Sequence, residues 1–422
     1  MRIQVPSLAA VIRDGRWVYD AAYHQEWDAW LTETFHVHHT GPVRSGRQMY
    51  PFEDTPKPER AVLHVLPRTQ EIVLLAPHTH VDGRGLALFL DQLLRLLVTP
   101  AANVVEPPGG KEAAHLMPPL ATTAQVPPKM TPSQREAYCQ SMLDFTTGGP
   151  LIRLHTRNAT MPAGRTKLRW LTYEAGETKR IAARSKELGF SVTAALQAAL
   201  SHAGRIQSRT NATNHAIMAI YEGRTYVDPE KYPLQRLVGP HVFVMPAVFK
   251  VARQQGRELM SFVDTAKAAR DEFMRFKDDD VVRAASGDWA ADMIRFLSTP
   301  LPPGTPTPGD LNFSSMGIMD KFIAEAYEQD GDGAEAAGRQ RPDVEVEDLW
   351  LTIDILHPNI LVDAWTFRGK LQIELIYNET YHSEDSISLL CSLLHEQLSQ
   401  GLGLDLMFNL RGQGDEDWLQ RK

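Results

Sequence analysis

The chain has 422 residues, 43% of them apolar, and its 44 Lys and Arg stand against 52 Asp and Glu for a formal net charge of −8. That length predicts two or three packed units with a sizeable core, and the acidic balance argues against a general nucleic-acid binder, which needs a basic surplus. The two cysteines, Cys139 and Cys391, lie far apart, which excludes a disulfide scaffold and a thiolate metal site and fits a reducing, cytoplasmic location.

Met1–Arg13 has no apolar run of signal-peptide length. His36, His38 and His39 form a cluster, but no carboxylate or Cys stands at metal-ligand spacing, so no metal is expected. Arg60–Leu66 and Glu71–Ala76 read as strands, the second apolar enough to be buried on both faces. A polar turn, Pro77–Gly85, leads into Leu86–Val98, a helical pattern broken by Asp91, Gln92 and Arg95. No segment reaches the roughly 20 apolar residues of a membrane span, so a soluble protein is expected.

From residue 99 to 132 repeated prolines exclude a long helix or central strand and predict a surface excursion. Gln134–Phe145 reads as a helix and Leu151–Arg157 as a strand. Lys167–Glu174 is a strand, Glu174–Leu188 a charged helix stopped by Gly189, and Val192–Ala203 a buried Ala-rich helix opened by Ser191. Ala216–Tyr221, Val242–Val251 and Leu349–Leu356 are strand candidates. In Leu371–Tyr377 the alternation of Leu371, Ile373 and Leu375 with Gln372 and Glu374 predicts a sheet with one wet face. The stretch in which Arg283 and Arg295 flank Trp289, with Met293 and Phe296, reads as core packing before the wall of an acceptor pocket, Glu325–Glu347 as a mobile loop, and Ser386–Leu398 as a last helix. The order of elements predicts an α/β protein with mixed sheets, in halves that meet near Thr156–Thr166.

The turn at Pro77–Gly85 carries the chemistry. It sets His78 at the carboxyl end of a strand, where α/β sheets present reactive groups, with Asp82 four residues on and Gly83 and Gly85 letting the backbone bend. A neutral imidazole held in one orientation accepts a proton near neutral pH. Asp82, just ahead of the helix, is expected to hold the turn, by capping the helix or by pairing with a distant cation. A histidine at a strand end is as often a satisfied structural residue, and spacing leaves that open. No Gly-x-Ser-x-Gly elbow or P-loop is present.

His78-Thr79-His80-Val81-Asp82-Gly83 resembles the His-x-x-x-Asp-Gly signature of the CoA-dependent acyltransferase superfamily, which includes the condensation domains and fungal secondary-metabolite acetyltransferases. Gly110-Lys111-Glu112 with Leu116–Leu120, Glu174–Ala203, Glu222-Gly223-Arg224, Leu237-Val238-Gly239, Asn312–Gly317 and Leu371–Asn378 with His382-Ser383 are similar, in order, to segments of its fungal branch. A second His before the catalytic one is replaced by Pro77, and Asp363-Ala364-Trp365-Thr366-Phe367 is only a faint echo of the motif that closes plant members.

The resemblance implies two chloramphenicol-acetyltransferase-like lobes, residues 1–160 with the 99–132 crossover and residues 161–422, and an active-site tunnel between them. It implies a monomeric O-acyltransferase that takes acyl-CoA, expected to be acetyl-CoA, as co-substrate and moves the acyl group to a hydroxyl of a terpenoid or polyketide, with no bound cofactor, metal, nucleic acid or membrane. His78 would be the general base. Asp82 and Gly83 would be structural, with Arg224 as the partner of Asp82 and Arg84 as the local alternative. Asn312, Ser314 and Ser315 would be the oxyanion or substrate candidates. The same scaffold could instead serve a cyclase, a carrier-protein-dependent condensing enzyme or a non-catalytic binding module.

Overall fold

The structure is a computed structural model that describes residues 5–20, 27–41, 44–52, 58–99, 111–147, 149–253, 258–278, 280–298, 309–328 and 342–415. Gly110, the prolines between 100 and 108, and residues 329–341 of the expected mobile loop lie outside the described residues.

In the first part of the chain, β1 (Phe35–Val37) pairs parallel with β2 (Val62–Leu66), and β2 antiparallel with β3 (Glu71–Leu75). The helix α1 (Gly83–Val98) follows. Then come α2 (Pro132–Thr147), β4 (Arg153–Leu154), β5 (Thr166–Tyr173), α3 (Ala175–Leu188) and α4 (Val192–Ser208). An antiparallel pair, β6 (Asn214–Glu222) and β7 (Val242–Lys250), precedes α5 (Phe262–Asp278) and α6 (Ser286–Ser298). The last elements are β8 (Gly309–Ile318), β9 (Ile360–Phe367), β10 (Lys370–Asn378), α7 (Glu384–Leu402) and β11 (Asn409–Gly412).

A six-stranded sheet of order β11-β5-β10-β9-β8-β4 organises the molecule; only β8 and β9 run parallel. Its two faces are covered differently. On one, Leu311, Phe313, Val362, Ala364, Ile373 and Leu375 pack against α4, whose alanines let it lie close to its neighbours, with α3, α5 and α7 around it. Helix ends follow from local chemistry: Ser191 and Ser383 cap α4 and α7, and Gly189 closes α3 in the left-handed region at φ 88. The other face meets the first part of the chain. There Tyr50, Phe52, Leu66 and Val73 pack with Leu168, Trp170 and Ile376, and α1 packs against Trp365, Phe367, Leu349 and Leu351.

That second contact overturns several expectations. Gln372 and Glu374 do not face water: they are 4% and 0% exposed, because the sheet face they share is covered by Arg47 and the 348–352 segment. Of β3 only Val73 is fully buried; the other positions are partly covered, and Ile72, Leu74 and Leu75 are apolar because they line a cavity. Leu349–Leu356 is extended but joins no sheet, and Leu151–Arg157 shortens to β4. The proline-rich excursion is not all surface, since Thr123, Ala124 and Met130 are buried. Ala326–Tyr327 and Val344–Glu345, near the ends of the expected loop, pair antiparallel. Trp289 and Met293 sit in a second core with Phe243 and Phe276, and the Phe296 side chain lies outside the described residues. Among the described residues no helix is long and apolar enough to cross a membrane, and no group of His, Cys, Asp and Glu could hold a metal ion. His38 Nε2 lies 3.0 Å from His64 Nδ1, and His36 stacks on His64.

Candidate active site

His78 stands where β3 ends, on a turn closed by the His80 N–H donating to Pro77 O at 2.8 Å. Its Nδ1 lies 3.0 Å from Val81 O. A carbonyl only accepts, so Nδ1 carries the hydrogen, and in the neutral ring Nε2 is left with its lone pair. The ring is exposed to a cavity of about 1300 Å³ that residues from both parts of the chain enclose. His80 is the opposite case. It is 1% exposed, its Nε2 is 2.7 Å from Ala10 O and its Nδ1 is 3.1 Å from Thr79 Oγ1, while burial pushes its pKa down.

Asp82 both caps α1 and pairs with a cation. Its Oδ1 accepts from Gly85 N at 2.7 Å and Arg224 Nη2 at 2.8 Å; its Oδ2 accepts from His241 N at 2.7 Å and Arg224 Nη1 at 3.0 Å. The pair is almost dry, the side chains being 3% and 5% exposed for Arg224 and Asp82. Arg224 also donates to Leu237 O, Gly239 O and Glu222, so every N–H of its guanidinium is used. Arg84 does not reach Asp82. It pairs with Glu222 and donates to Met316 O.

Gly85 is required by a close approach, because a Cβ there would stand 1.9 Å from the Val238 carbonyl oxygen. Neither backbone can yield alone. Gly85→Ala is expected to cost about 3 kcal/mol, read as a lowered urea midpoint at unchanged slope.

Strand β8 crosses the start of α1, where Met316 fills the space a Gly83 side chain would need. Ser314 and Ser315 line the cavity with His78; Asn312 is not among its lining residues. The Ser315 hydroxyl meets that of Thr193 at 3.0 Å. Ser314, Asp363, Glu374 and Trp170 are successive register partners across β8, β9, β10 and β5. They make one polar row on the sheet face that looks toward the first part of the chain. Arg47 joins it from the far side, 3.6 Å from Glu374 and 3.8 Å from Asp348, donating to Gln372 at 2.9 Å and stacking over Trp170.

Sequence reasoning missed Arg47, Asp363 and Glu374. The available signal was a lone acid inside an apolar strand, as in Ile-Leu-Val-Asp-Ala-Trp and Leu-Gln-Ile-Glu-Leu-Ile. Burial pushes the Asp363 carboxyl up to about 7 and that of Glu374 up to about 8, the latter opposed by Arg47. Folded chains therefore hold two protons that unfolded chains release above about pH 4, so the contribution of these two carboxyls to stability falls as pH rises from about 4 to about 8, while the buried histidines whose pKa burial lowers act in the opposite sense below about pH 6.5. Glu374→Gln is expected to remove part of that slope. Relative to wild type the variant should gain on the order of 3 kcal/mol between pH 5 and pH 9 in paired unfolding curves.

No protein-family profile matches the chain. It is 23% identical over 415 residues to the acetyltransferase pigO of Monascus ruber, spanning 96% of this chain and 84% of that one. It is 22% identical over 418 residues to the O-acetyltransferase pigM of the same organism, covering 96% and 75%. A third relative, 24% identical with coverages of 89% and 77%, bears another kind of name: the loline biosynthesis cluster 1 transcription factor lolU1 of Epichloe uncinata. Among solved structures, the TRI3 trichothecene 15-O-acetyltransferase of Fusarium sporotrichioides superposes with a TM-score of 0.75 at 13% identity, over 95% of this chain and 84% of that one. The epimerization domain of tyrocidine synthetase B gives 0.55 at 14% identity, over 94% and 85%.

The protein thus has the two-lobed α/β fold of the condensation-like acyltransferases, the superfamily that the His-x-x-x-Asp-Gly turn resembles. Fungal acetyltransferases are among the proteins to which its sequence is similar.

Proposed function

We propose that the protein is an O-acyltransferase, moving an acyl group, first of all acetyl, from acyl-CoA to a hydroxyl of a small-molecule acceptor of secondary metabolism, with His78 as general base. The observation that carries this reading is the hydrogen bond from His78 Nδ1 to Val81 O, which leaves Nε2 as an acceptor in a large cavity. The acetyltransferase relatives support it as well. The exposed, oriented base favours it over the regulatory role suggested by the third relative's name.

In this mechanism Nε2 takes the proton of the acceptor hydroxyl as the oxygen attacks the thioester carbonyl. The ester C–O bond forms, the C–S bond breaks, and the proton passes from His78 to the departing CoA thiolate. The substrates meet directly, so no acyl-enzyme forms. Ser314 and Ser315 are the stronger donors for the developing oxyanion, Asn312 the weaker, since only the serines line the cavity. One preorganised donor of this kind is worth about 2.7–4 kcal/mol. The reading takes in two lobes divided near residue 160, a monomeric cytoplasmic enzyme, and CoA as co-substrate with no resident cofactor.

The test is thiol release from acetyl-CoA in the presence of a panel of hydroxylated terpenoids and polyketides. Release that needs both protein and acceptor supports transfer. Conversion of a metabolite without CoA would replace transfer by cyclisation, and binding without turnover would reduce the protein to a binding module.

A further inference from the structure

The polar row behind the catalytic turn holds more acid than its surroundings satisfy. Asp363 is 7% exposed and lines the cavity, yet its Oδ1 has no hydrogen-bond partner. Glu374, directly opposite on β10, is fully buried, and among the described residues its carboxyl meets only Arg47, at 3.6 Å, and the Thr352 side chain. Of the three carboxyls of Asp348, Asp363 and Glu374, the Arg47 guanidinium contacts only the first and the last. The wider lining has the same bias: carboxylates outnumber guanidiniums, and no lysine is among the described lining residues.

A carboxyl buried without a partner is costly, and a structural role is normally accompanied by a full set of donors. Around Asp363 the groups at hand are the Ser314 side chain on β8, Glu374 on β10 and, beyond it, Arg47. A second acid repels rather than stabilises its charge. Among the described residues, Ser314 is the one hydrogen-bonding group the Asp363 carboxyl has, and where the carboxyl is ionised a cation entering from the cavity would satisfy the oxygen left without a partner.

The distance suits one small molecule. Asp363 lies one strand across from Ser314, and Ser314 two residues along β8 from Met316, which touches the start of α1. With strands about 4.8 Å apart and residues rising about 3.3 Å, Asp363 is on the order of 10 Å from the turn that carries His78.

We propose that Asp363 is the acceptor-recognition group of this cavity and that the acceptor is an amino alcohol, its ammonium group paired with the Asp363 carboxylate and its hydroxyl presented to His78. The hydroxyl half rests on the acyltransferase reading; the ammonium half stands on the cavity alone. Trp170 and Trp350, which also line the cavity, supply apolar walls for the carbon frame. Glu374 and Asp348 lend negative potential without touching the ligand, and Arg47 keeps that potential from becoming prohibitive.

Binding is tested with a matched pair of probes, tryptamine and tryptophol, which share shape and differ in charge, titrated calorimetrically into the full chain at pH 8. Tryptamine is expected to bind at least tenfold more tightly than tryptophol to the wild type, and the preference is expected to vanish in Asp363→Asn and to persist in His78→Ala. Equal or tighter binding of tryptophol, no binding of either probe, or a preference that survives in Asp363→Asn would overturn the inference. Far-ultraviolet circular dichroism and thermal melts of Asp363→Asn show whether the variant is folded. If that variant does not fold, Ser314→Lys reads the same site from the next strand: an ammonium planted beside Asp363 is expected to abolish the tryptamine preference, and a preference that survives counts against the proposal. Because no acyl transfer enters these titrations, failure of the thiol-release assay would leave the result standing, and a lost tryptamine preference would leave acyl transfer standing.

Discussion

Arg224→Ala is expected to destabilise the protein by about 3–5 kcal/mol and to abolish turnover with it. Arg224 is buried with Asp82, Glu222 and the carbonyls of Leu237 and Gly239 around it, so truncation strands a dry carboxylate rather than deleting one contact. The same carboxylate caps α1 through Gly85 and holds the backbone at His241, which means that one side chain ties the turn bearing His78 to two segments of the later chain. Arg224→Lys keeps the charge but loses the bidentate fork, and is expected to fall between wild type and Ala. Urea unfolding of Asp82→Ala, Arg224→Ala and the double variant measures the coupling. A double variant markedly less destabilised than the sum of the two supports the pair, while strict additivity or single variants as stable as wild type would remove it from the scaffold.

How much of this could be read beforehand depended on how local the determining physics is. The turn from Pro77 to Gly85 was legible because strand end, bend and helix cap are set within nine residues. Helices α3 and α4 were legible from a Gly stop and a Ser cap with a clear apolar pattern between. The meeting of Asp82 with Arg224 came from resemblance, since 142 residues separate them and no periodicity relates them. Strand β10 shows the limit. Its alternation correctly separated Leu371, Ile373 and Leu375 from Gln372 and Glu374, but a sequence cannot say whether the polar face meets water or another part of the chain. Here it meets Arg47 and the 348–352 segment, and the row that results is invisible until β8, β9 and β10 are in register.

His78→Ala is expected to lower kcat/KM for acyl transfer about 10²–10⁴-fold while leaving the unfolding curve nearly unchanged. The two effects separate because of where the ring sits. It is exposed to the cavity and anchored by one hydrogen bond, to Val81 O, so its removal opens no core and strands no buried charge. His80→Ala is the opposite experiment. That ring is buried, held at both nitrogens and packed at a tilt against Trp17, so its loss should reduce stability while the base remains. Activity lost with stability kept in His78→Ala, against stability lost with per-molecule activity kept in His80→Ala, would assign the proton transfer to a single nitrogen, Nε2 of His78. Full turnover by His78→Ala would leave the cavity without a base of that kind: Asp363 is on the order of 10 Å away, on another strand, and Asp82 has both oxygens committed to Gly85, His241 and Arg224.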